Sequence, residues 1–309
     1  MNLPLTSLTT AILLYMAYKL LFPRAPRSPL IYLNSLSKEE KKSLPYSLDF
    51  FPNGEFIKSP YGYIRAYRFG PLDGKKVLFL HGISTPCPVF RDLANTSVES
   101  GFQVLLFDFF GRGYSDAPTD LPFDGRLHIS QILAVLAHYQ WNKFDIIGYS
   151  MGGAIATSFT SFFPTQVQKV ILIAPAGLIP RTTIPLFSRI ALSPFIPLSL
   201  VHSLFPPGQI ESIKRSEEGR PFTDRIVETQ STFNPAIGWA TLSSLRHSPL
   251  FDQEDMFRSL GNREVFVAWG REDTVTPITG LIRMKNLGHD LVLTRSRELC
   301  EAISEYLRG

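Results

Sequence analysis

Short apolar runs alternate with polar, helix-like stretches along most of the chain. The runs predict β-strands at residues 62–69, 76–80, 102–107, 144–147, 170–173 and 264–268. This alternation is typical of an α/β fold with a doubly wound, mostly parallel sheet. Each run ends close to a Gly, Pro or Asp. Ligands of such sheets bind at the carboxyl ends of the strands, so the residues that follow each run are the candidates for chemistry.

The alternation stops between residues 177 and 250. Residues 184–207 are strongly apolar and contain several prolines, and a more polar helical stretch follows them. This interruption predicts a helical cap over residues 177–250, inserted into an α/β core that is formed by residues 61–176 and 251–309.

Another apolar run occupies residues 3–22, where Lys19 is the only charge. A helix of that length, at about 1.5 Å per residue, spans roughly 30 Å, the thickness of the hydrocarbon core of a bilayer. Basic residues follow the run, as on a cytoplasmic flank. Residues 1–28 are therefore predicted to be a single-pass anchor, with the endoplasmic reticulum favoured and the domain facing the cytosol. Residues 29–60 are predicted to be a tether. The alternatives are a helix in the membrane interface, a helix packed on the domain, and a removed segment.

Composition narrows the class of protein. Of 309 residues, 44% are hydrophobic and 19% are charged, which excludes a disordered or coiled-coil chain. The net charge of +4 comes without a basic cluster, so no nucleic-acid partner is expected. Cys87 and Cys300 cannot form a disulfide framework. The sequence has no metal-ligand cluster and no phosphate-binding glycine motif, so no metal and no cofactor is expected.

The segment Gly148-Tyr149-Ser150-Met151-Gly152 lies between a predicted strand and a helix-like stretch, the context of a nucleophile elbow. Such a turn raises the serine hydroxyl above the sheet and requires small residues two positions before and after it. Ser150 is the predicted nucleophile. The Met151 N–H, at the start of the helix, is a predicted oxyanion donor. The alternative is a glycine-rich turn with a bystander serine.

A second oxyanion donor is expected where another strand ends, at His81-Gly82-Ile83. The N–H of Ile83 would complete the oxyanion hole. His81 itself is predicted to shape this loop and not to act as the catalytic base.

A serine hydroxyl needs a base, and the base needs an orienting carboxylate. Asp273 follows the strand at 264–268 and is the predicted acid, with Glu272 and a solvated acidic turn as alternatives. His289 is the only histidine after Asp273, so it is the predicted base in the chain order Ser, acid, His.

These motifs resemble those of the α/β-hydrolase superfamily, over about residues 60–309. The resemblance is carried by His81-Gly82, residues 108–115, 148–152 and 270–277, and Gly288-His289. It implies that residues 108–115 form a structural turn below the active site. Among subgroups the chain is most similar to membrane-anchored monoacylglycerol lipases and carboxylesterases. A serine at the elbow argues against epoxide hydrolases and haloalkane dehalogenases, in which the nucleophile is Asp.

The resemblance implies hydrolysis of a carboxylic ester through an acyl-enzyme, with a small-molecule or lipid ester such as a monoacylglycerol as substrate. The crowded apolar residues of the cap favour a medium or long acyl chain, although they could simply pack on the core. Thioester hydrolysis and C–C cleavage would use the same residues. His247 and Asp252, in an H-x₄-D pattern, leave acyl transfer open.

The interval between acid and base is short for this family. His289 comes 16 residues after Asp273, whereas a helix, a strand and their connections need roughly 25 residues. The sequence therefore predicts a shortened helix or a missing last strand. It also leaves open a catalytically weak or inactive protein that acts by binding.

Overall fold

The computed structural model describes residues 5–21, 28–118, 120–204, 220–270, 273, 275–276, 283–284 and 296–308. The strands among them are β1 (Gly54–Ser59), β2 (Gly62–Phe69), β3 (Lys75–Leu80), β4 (Phe102–Phe107), β5 (Phe144–Tyr149), β6 (Val167–Ile173), β7 (Val265–Gly270) and β8 (Arg283–Met284). The helices are α1 (Leu5–Leu21), α2 (Leu30–Ser35), α3 (Lys38–Ser43), α4 (Arg91–Glu99), α5 (Gly125–Tyr139), α6 (Met151–Phe162), α7 (Leu186–Ala191), α8 (Leu198–Leu204), α9 (Arg220–Phe233), α10 (Ile237–His247), α11 (Glu254–Arg258) and α12 (Ser296–Arg308).

The strands form one sheet with the order β1-β2-β4-β3-β5-β6-β7-β8. β2 pairs antiparallel with β1 and β4, and the strands from β4 to β8 pair in parallel. The mostly parallel sheet predicted from the sequence is confirmed. The position of β3 between β4 and β5 brings the carboxyl ends of β3 and β5 side by side, and β6 and β7 follow along the same edge.

Both faces of the central strands are buried, because helices cover the sheet on each side. All six residues of β4 and of β5 are buried. Parallel strands covered on both faces read as continuous apolar runs, which is why the sequence pattern locates them. One core cluster joins the sheet to α5 and α6, and the other joins it to α4 and α12.

The interval between β6 and β7 contains helices α7 to α11. We call residues 177–250 the cap. Its helices α7 and α8 carry exposed apolar side chains, whereas α10 packs into the core through Ala240, which is fully buried. The cap is therefore joined to the core through α10, among other contacts, and exposes apolar side chains on α7 and α8.

The N-terminal apolar run forms a helix of 17 residues, Leu5–Leu21. Among the described residues, no helix is both long enough and apolar enough to cross a membrane. The predicted single-pass anchor is thus not supported, and α1 instead contacts α8 of the cap.

Residues 29–60, predicted to be a tether, instead contain α2, α3 and the edge strand β1. Leu33, Tyr46 and Phe51 are buried in the core cluster that also holds β4. The Tyr46 hydroxyl donates to the Asp108 carboxylate at 2.7 Å, and its oxygen lies 2.8 Å from the Tyr67 hydroxyl. The segment belongs to the domain because these side chains are buried in the core and Tyr46 adds a donor to the buried Asp108 carboxylate.

We expect Tyr46→Phe to lower the free energy of unfolding by about 1–3 kcal/mol, because the buried Asp108 carboxylate loses a donor without gaining a replacement. Urea denaturation measures the change. Tyr63→Phe is the matched control, since Tyr63 is 45% exposed. Equal stability of Tyr46→Phe and the unaltered protein would contradict this role for the N-terminal segment.

Candidate active site

Ser150 lies in a sharp turn between β5 and α6. Its backbone has φ +54° and ψ −117°, a conformation rare for any residue except glycine. The Ser150 N–H donates to the Ile173 carbonyl at 3.0 Å, and the Ser150 carbonyl accepts from the Ala176 N–H at 2.9 Å. The end of β6 and the residues after it therefore hold the strained serine backbone in place.

The glycines on either side of Ser150 are required by close backbone approach. A Cβ on Gly148 would lie 2.4 Å from the Gly152 carbonyl oxygen, and one on Gly152 would lie 2.0 Å from the Leu80 carbonyl oxygen. Both distances are far below van der Waals contact. The start of α6 thus packs directly against the end of β3, as a nucleophile elbow requires.

The loop after β3 lies beside the serine. A Cβ on Gly82 would lie 3.5 Å from the Ser150 Cβ, so the next residue, Ile83, is close to the predicted nucleophile. Met151 is the first residue of α6 and is fully buried. The two predicted oxyanion donors, on Ile83 and Met151, therefore belong to segments that meet at Ser150.

His81 has both ring nitrogens occupied. Nδ1 donates to the Gly82 carbonyl at 2.7 Å, and Nε2 accepts from the Phe109 N–H at 2.8 Å. Since a backbone N–H can only donate, Nε2 carries no proton. Burial lowers the pKa of His81 to about 3, so the ring is neutral at physiological pH. His81 is therefore not a free base. It holds the carbonyl of the same peptide unit that supplies the Ile83 N–H.

The turn after β4 is buried below this loop. The Asp108 carboxylate accepts from the backbone N–H groups of Cys87 at 3.0 Å and Tyr114 at 2.9 Å, as well as from Tyr46. Burial raises the pKa of Asp108, and these donors oppose that rise. The Gln131 side chain also bonds this turn, at the Asp108 carbonyl and the Phe110 N–H. These contacts fit the structural role that the family resemblance implies.

Asp273 lies just beyond β7 and is 5% exposed. Its Oδ1 accepts from the N–H groups of Val275 and Thr276, both at 2.8 Å, and its Oδ2 lies 2.9 Å from the Thr276 hydroxyl. Three donors keep this carboxylate oriented. The same hydroxyl lies 3.3 Å from the Ala174 carbonyl, so the Asp273 turn lies beside the end of β6.

Ser150, Ile83 and Asp273 therefore lie at one edge of the sheet, beyond the carboxyl ends of β5, β3 and β7. His289, the predicted base, and Glu272, the alternative acid, lie outside the described residues. In the H-x₄-D pattern, the Asp252 carboxylate accepts from the Arg181 N–H at 2.9 Å.

The sequence analysis did not identify the buried side chains that bond the turn after β4 and the loop after β3. These are Tyr46, Arg112 and Gln131. Each is distant in sequence from at least one of its partners, by 62, 132 and 23 positions respectively. No local pattern could have indicated these contacts.

The chain matches a family model described as alpha/beta hydrolase fold over residues 75–304. A human (Homo sapiens) serine hydrolase-like protein is 35% identical over 115 residues, which are 37% of this chain and 56% of that protein. The chain thus spans about half the length of this curated relative.

Solved structures of low sequence identity share the fold. A bacterial membrane phospholipase A has a TM-score of 0.65 at 18% identity, covering 98% of this chain and 96% of its own. An esterase from Thermogutta terrifontis has a TM-score of 0.64 at 18% identity, covering 83% and 98% of the two chains. At this identity the likeness concerns the fold alone.

We expect Gly152→Ala to lower the free energy of unfolding by at least about 1–3 kcal/mol, because the added methyl would overlap the β3 backbone. Labelling of Ser150 by a fluorophosphonate should also be lost. Gly125→Ala is the control, since its methyl would meet nothing closer than 3.9 Å. A Gly152→Ala protein with unaltered stability and labelling would contradict the close packing of the elbow.

Proposed function

The chain belongs to the alpha/beta hydrolase fold family, and from this premise we propose that it is a serine hydrolase cleaving a carboxylic ester, such as a monoacylglycerol, through an acyl-enzyme. The observation that carries the proposal is the backbone of Ser150. A strained serine between a strand and a helix, beside the loop that follows β3, has the backbone of a nucleophile elbow. Esterases and lipases among the proteins of similar fold support the same class of reaction.

In the proposed reaction, Ser150 Oγ attacks the ester carbonyl carbon while His289 accepts the hydroxyl proton. The carbonyl oxygen becomes an oxyanion and is held by the N–H groups of Ile83 and Met151. Collapse of the tetrahedral intermediate breaks the ester C–O bond. The alcohol leaves with the proton from His289, and water then hydrolyses the acyl-enzyme by the same route.

Asp273 would orient His289 and stabilise its protonated form. Support for this role comes from the three donors to the Asp273 carboxylate, because they fix its direction. A base placed at the same sheet edge would complete the set of groups that acyl transfer requires.

The lipid character of the substrate is proposed from the surface of the cap. Its exposed large apolar side chains are Leu186, Phe187, Ile190, Phe195 and Leu204, with Phe195 91% exposed. Helix α1, which contacts α8, exposes Ile12, Leu13, Leu14 and Met16 as well. Apolar patches formed by separate segments are typical of surfaces that contact a partner or a membrane. We therefore propose that α1 and the cap lie together in a membrane interface and receive the ester from it.

Ser150→Ala should abolish ester hydrolysis and fluorophosphonate labelling while leaving thermal unfolding unchanged, because only the nucleophile is removed. His289→Ala and Asp273→Asn should both lower kcat, with the histidine variant at least as damaging, since the acid acts only through the base. Retained hydrolysis in Ser150→Ala would refute the serine-hydrolase proposal. A fully active His289→Ala would place the base elsewhere.

Phe195→Asp and Leu204→Asp should lower turnover of a monoacylglycerol presented in vesicles at least about tenfold more than turnover of a soluble short-chain ester. Each exposed apolar group lost from the interface weakens membrane contact by about 1.5–3 kcal/mol. Leu72→Asp is the matched control, because Leu72 is 80% exposed and lies on the core between β2 and β3. Equal losses on both substrates would refute the interfacial proposal and leave the esterase chemistry standing.

A further inference from the structure

Arg112 is fully buried in the turn after β4, with its guanidinium bonded in several directions. Nε donates to the Ile83 carbonyl at 3.1 Å, and Nη1 donates to the Phe110 carbonyl at 3.1 Å. Nη2 donates to the Ala240 carbonyl at 3.2 Å and to the Ser244 hydroxyl at 2.7 Å. One side chain therefore joins three segments of the chain.

Two of those segments have different tasks in the proposed enzyme. Ile83 belongs to the loop beside Ser150, whereas Ala240 and Ser244 lie on α10 of the cap. The planar guanidinium presents its donors in a fixed fork, so its bonds on one side constrain those on the other. Arg112 thereby fixes the position of the Ile83 carbonyl relative to the cap.

Side chains of the cap also form hydrogen bonds with the turn that carries Arg112. The Gly113 N–H donates to the Gln230 side-chain oxygen at 2.8 Å. The Asn234 side-chain amide donates to the carbonyls of Gly111 at 3.2 Å and Gly113 at 3.4 Å. A displacement of α9 or α10 would therefore move the turn, and with it the guanidinium.

The surroundings of Arg112 make the burial of its charge unfavourable for folding. All four of its acceptors are neutral oxygens, and among the described residues no carboxylate accepts from it. Burial lowers the pKa of Arg112 to about 9, which still leaves it charged at neutral pH. An apolar side chain of similar volume could fill this space without the cost of burying a charge.

We infer that Arg112 is a positioning residue that connects the loop after β3 to the cap. It holds the Ile83 backbone so that the Ile83 N–H faces the developing oxyanion only while α10 is packed against the core. This inference rests on the proposed hydrolase function. His81 orients the peptide unit before Ile83, through the Gly82 carbonyl, and Arg112 holds the one after it. The two side chains therefore bond the peptide units on either side of Ile83.

The test uses full-length Arg112→Met, Arg112→Lys and Ser244→Ala, with Arg126→Met as control because the Arg126 side chain is 87% exposed. Active sites are counted with a fluorophosphonate, so that kcat refers only to folded, labelled enzyme. A trifluoromethyl ketone serves as an analogue of the tetrahedral intermediate. Thermal unfolding is recorded for every variant.

For Arg112→Met we expect kcat to fall about 10- to 100-fold, less than the roughly 100- to 1,000-fold loss on removing an oxyanion donor, with KM within about threefold. Binding of the ketone should weaken by the same factor as kcat, because both depend on the oxyanion. Arg112→Lys should recover part of kcat, Ser244→Ala should show a smaller loss of the same kind, and Arg126→Met should change nothing.

An unchanged kcat per labelled site in the folded variants, or a loss confined to KM or to thermal stability, would overturn the inference. If Arg112→Met does not fold, Arg112→Lys and Ser244→Ala decide by the same criteria. A failure of the proposed function is distinct, because the unaltered protein would then neither label nor hydrolyse esters.

Discussion

The backbone of Ser150, at φ +54° and ψ −117°, is a conformation that a serine adopts only where its neighbours impose it. Here the neighbours are three strand ends. Gly148 and Gly152 allow β5 and α6 to approach each other and the end of β3, while hydrogen bonds from the end of β6 hold the serine peptide groups. The strand order that places β5 between β3 and β6 makes this possible, so the site depends on the topology of the whole sheet.

Below the serine, buried polar groups act as supports. The Asp108 carboxylate, the neutral His81 ring and the Arg112 guanidinium each lie at 0% exposure, and each bonds to backbone groups of separate loops. Buried polar groups are costly unless satisfied, and satisfied networks rigidify what they join. The turn after β4 contacts the N-terminal segment, the loop after β3 and the cap, so these supports connect all three.

The helices of the molecule differ in how much apolar surface they expose. The helices around the sheet bury their apolar faces, whereas α1 and the outer cap helices leave large apolar side chains exposed. Helix α1 has 17 residues, and among the described residues no helix is both long and apolar enough to cross a bilayer. A helix of this kind gains most where one side meets the domain and the rest meets lipid, which is the arrangement we propose.

The sequence by itself determined the central strands, the elbow at Ser150 and the turn that holds Asp273, because continuous apolar runs and glycine spacing are local signals of backbone burial and close approach. It did not indicate β1 or the burial of Tyr46 in the segment expected to be a tether, since a half-exposed edge strand and a single buried hydroxyl leave no periodic trace. The hydrogen bonds from Arg112 to Ile83 and Ser244 were also evident only in the tertiary structure. Such contacts join residues up to 132 positions apart, and only the folded sheet and cap bring them within hydrogen-bond distance.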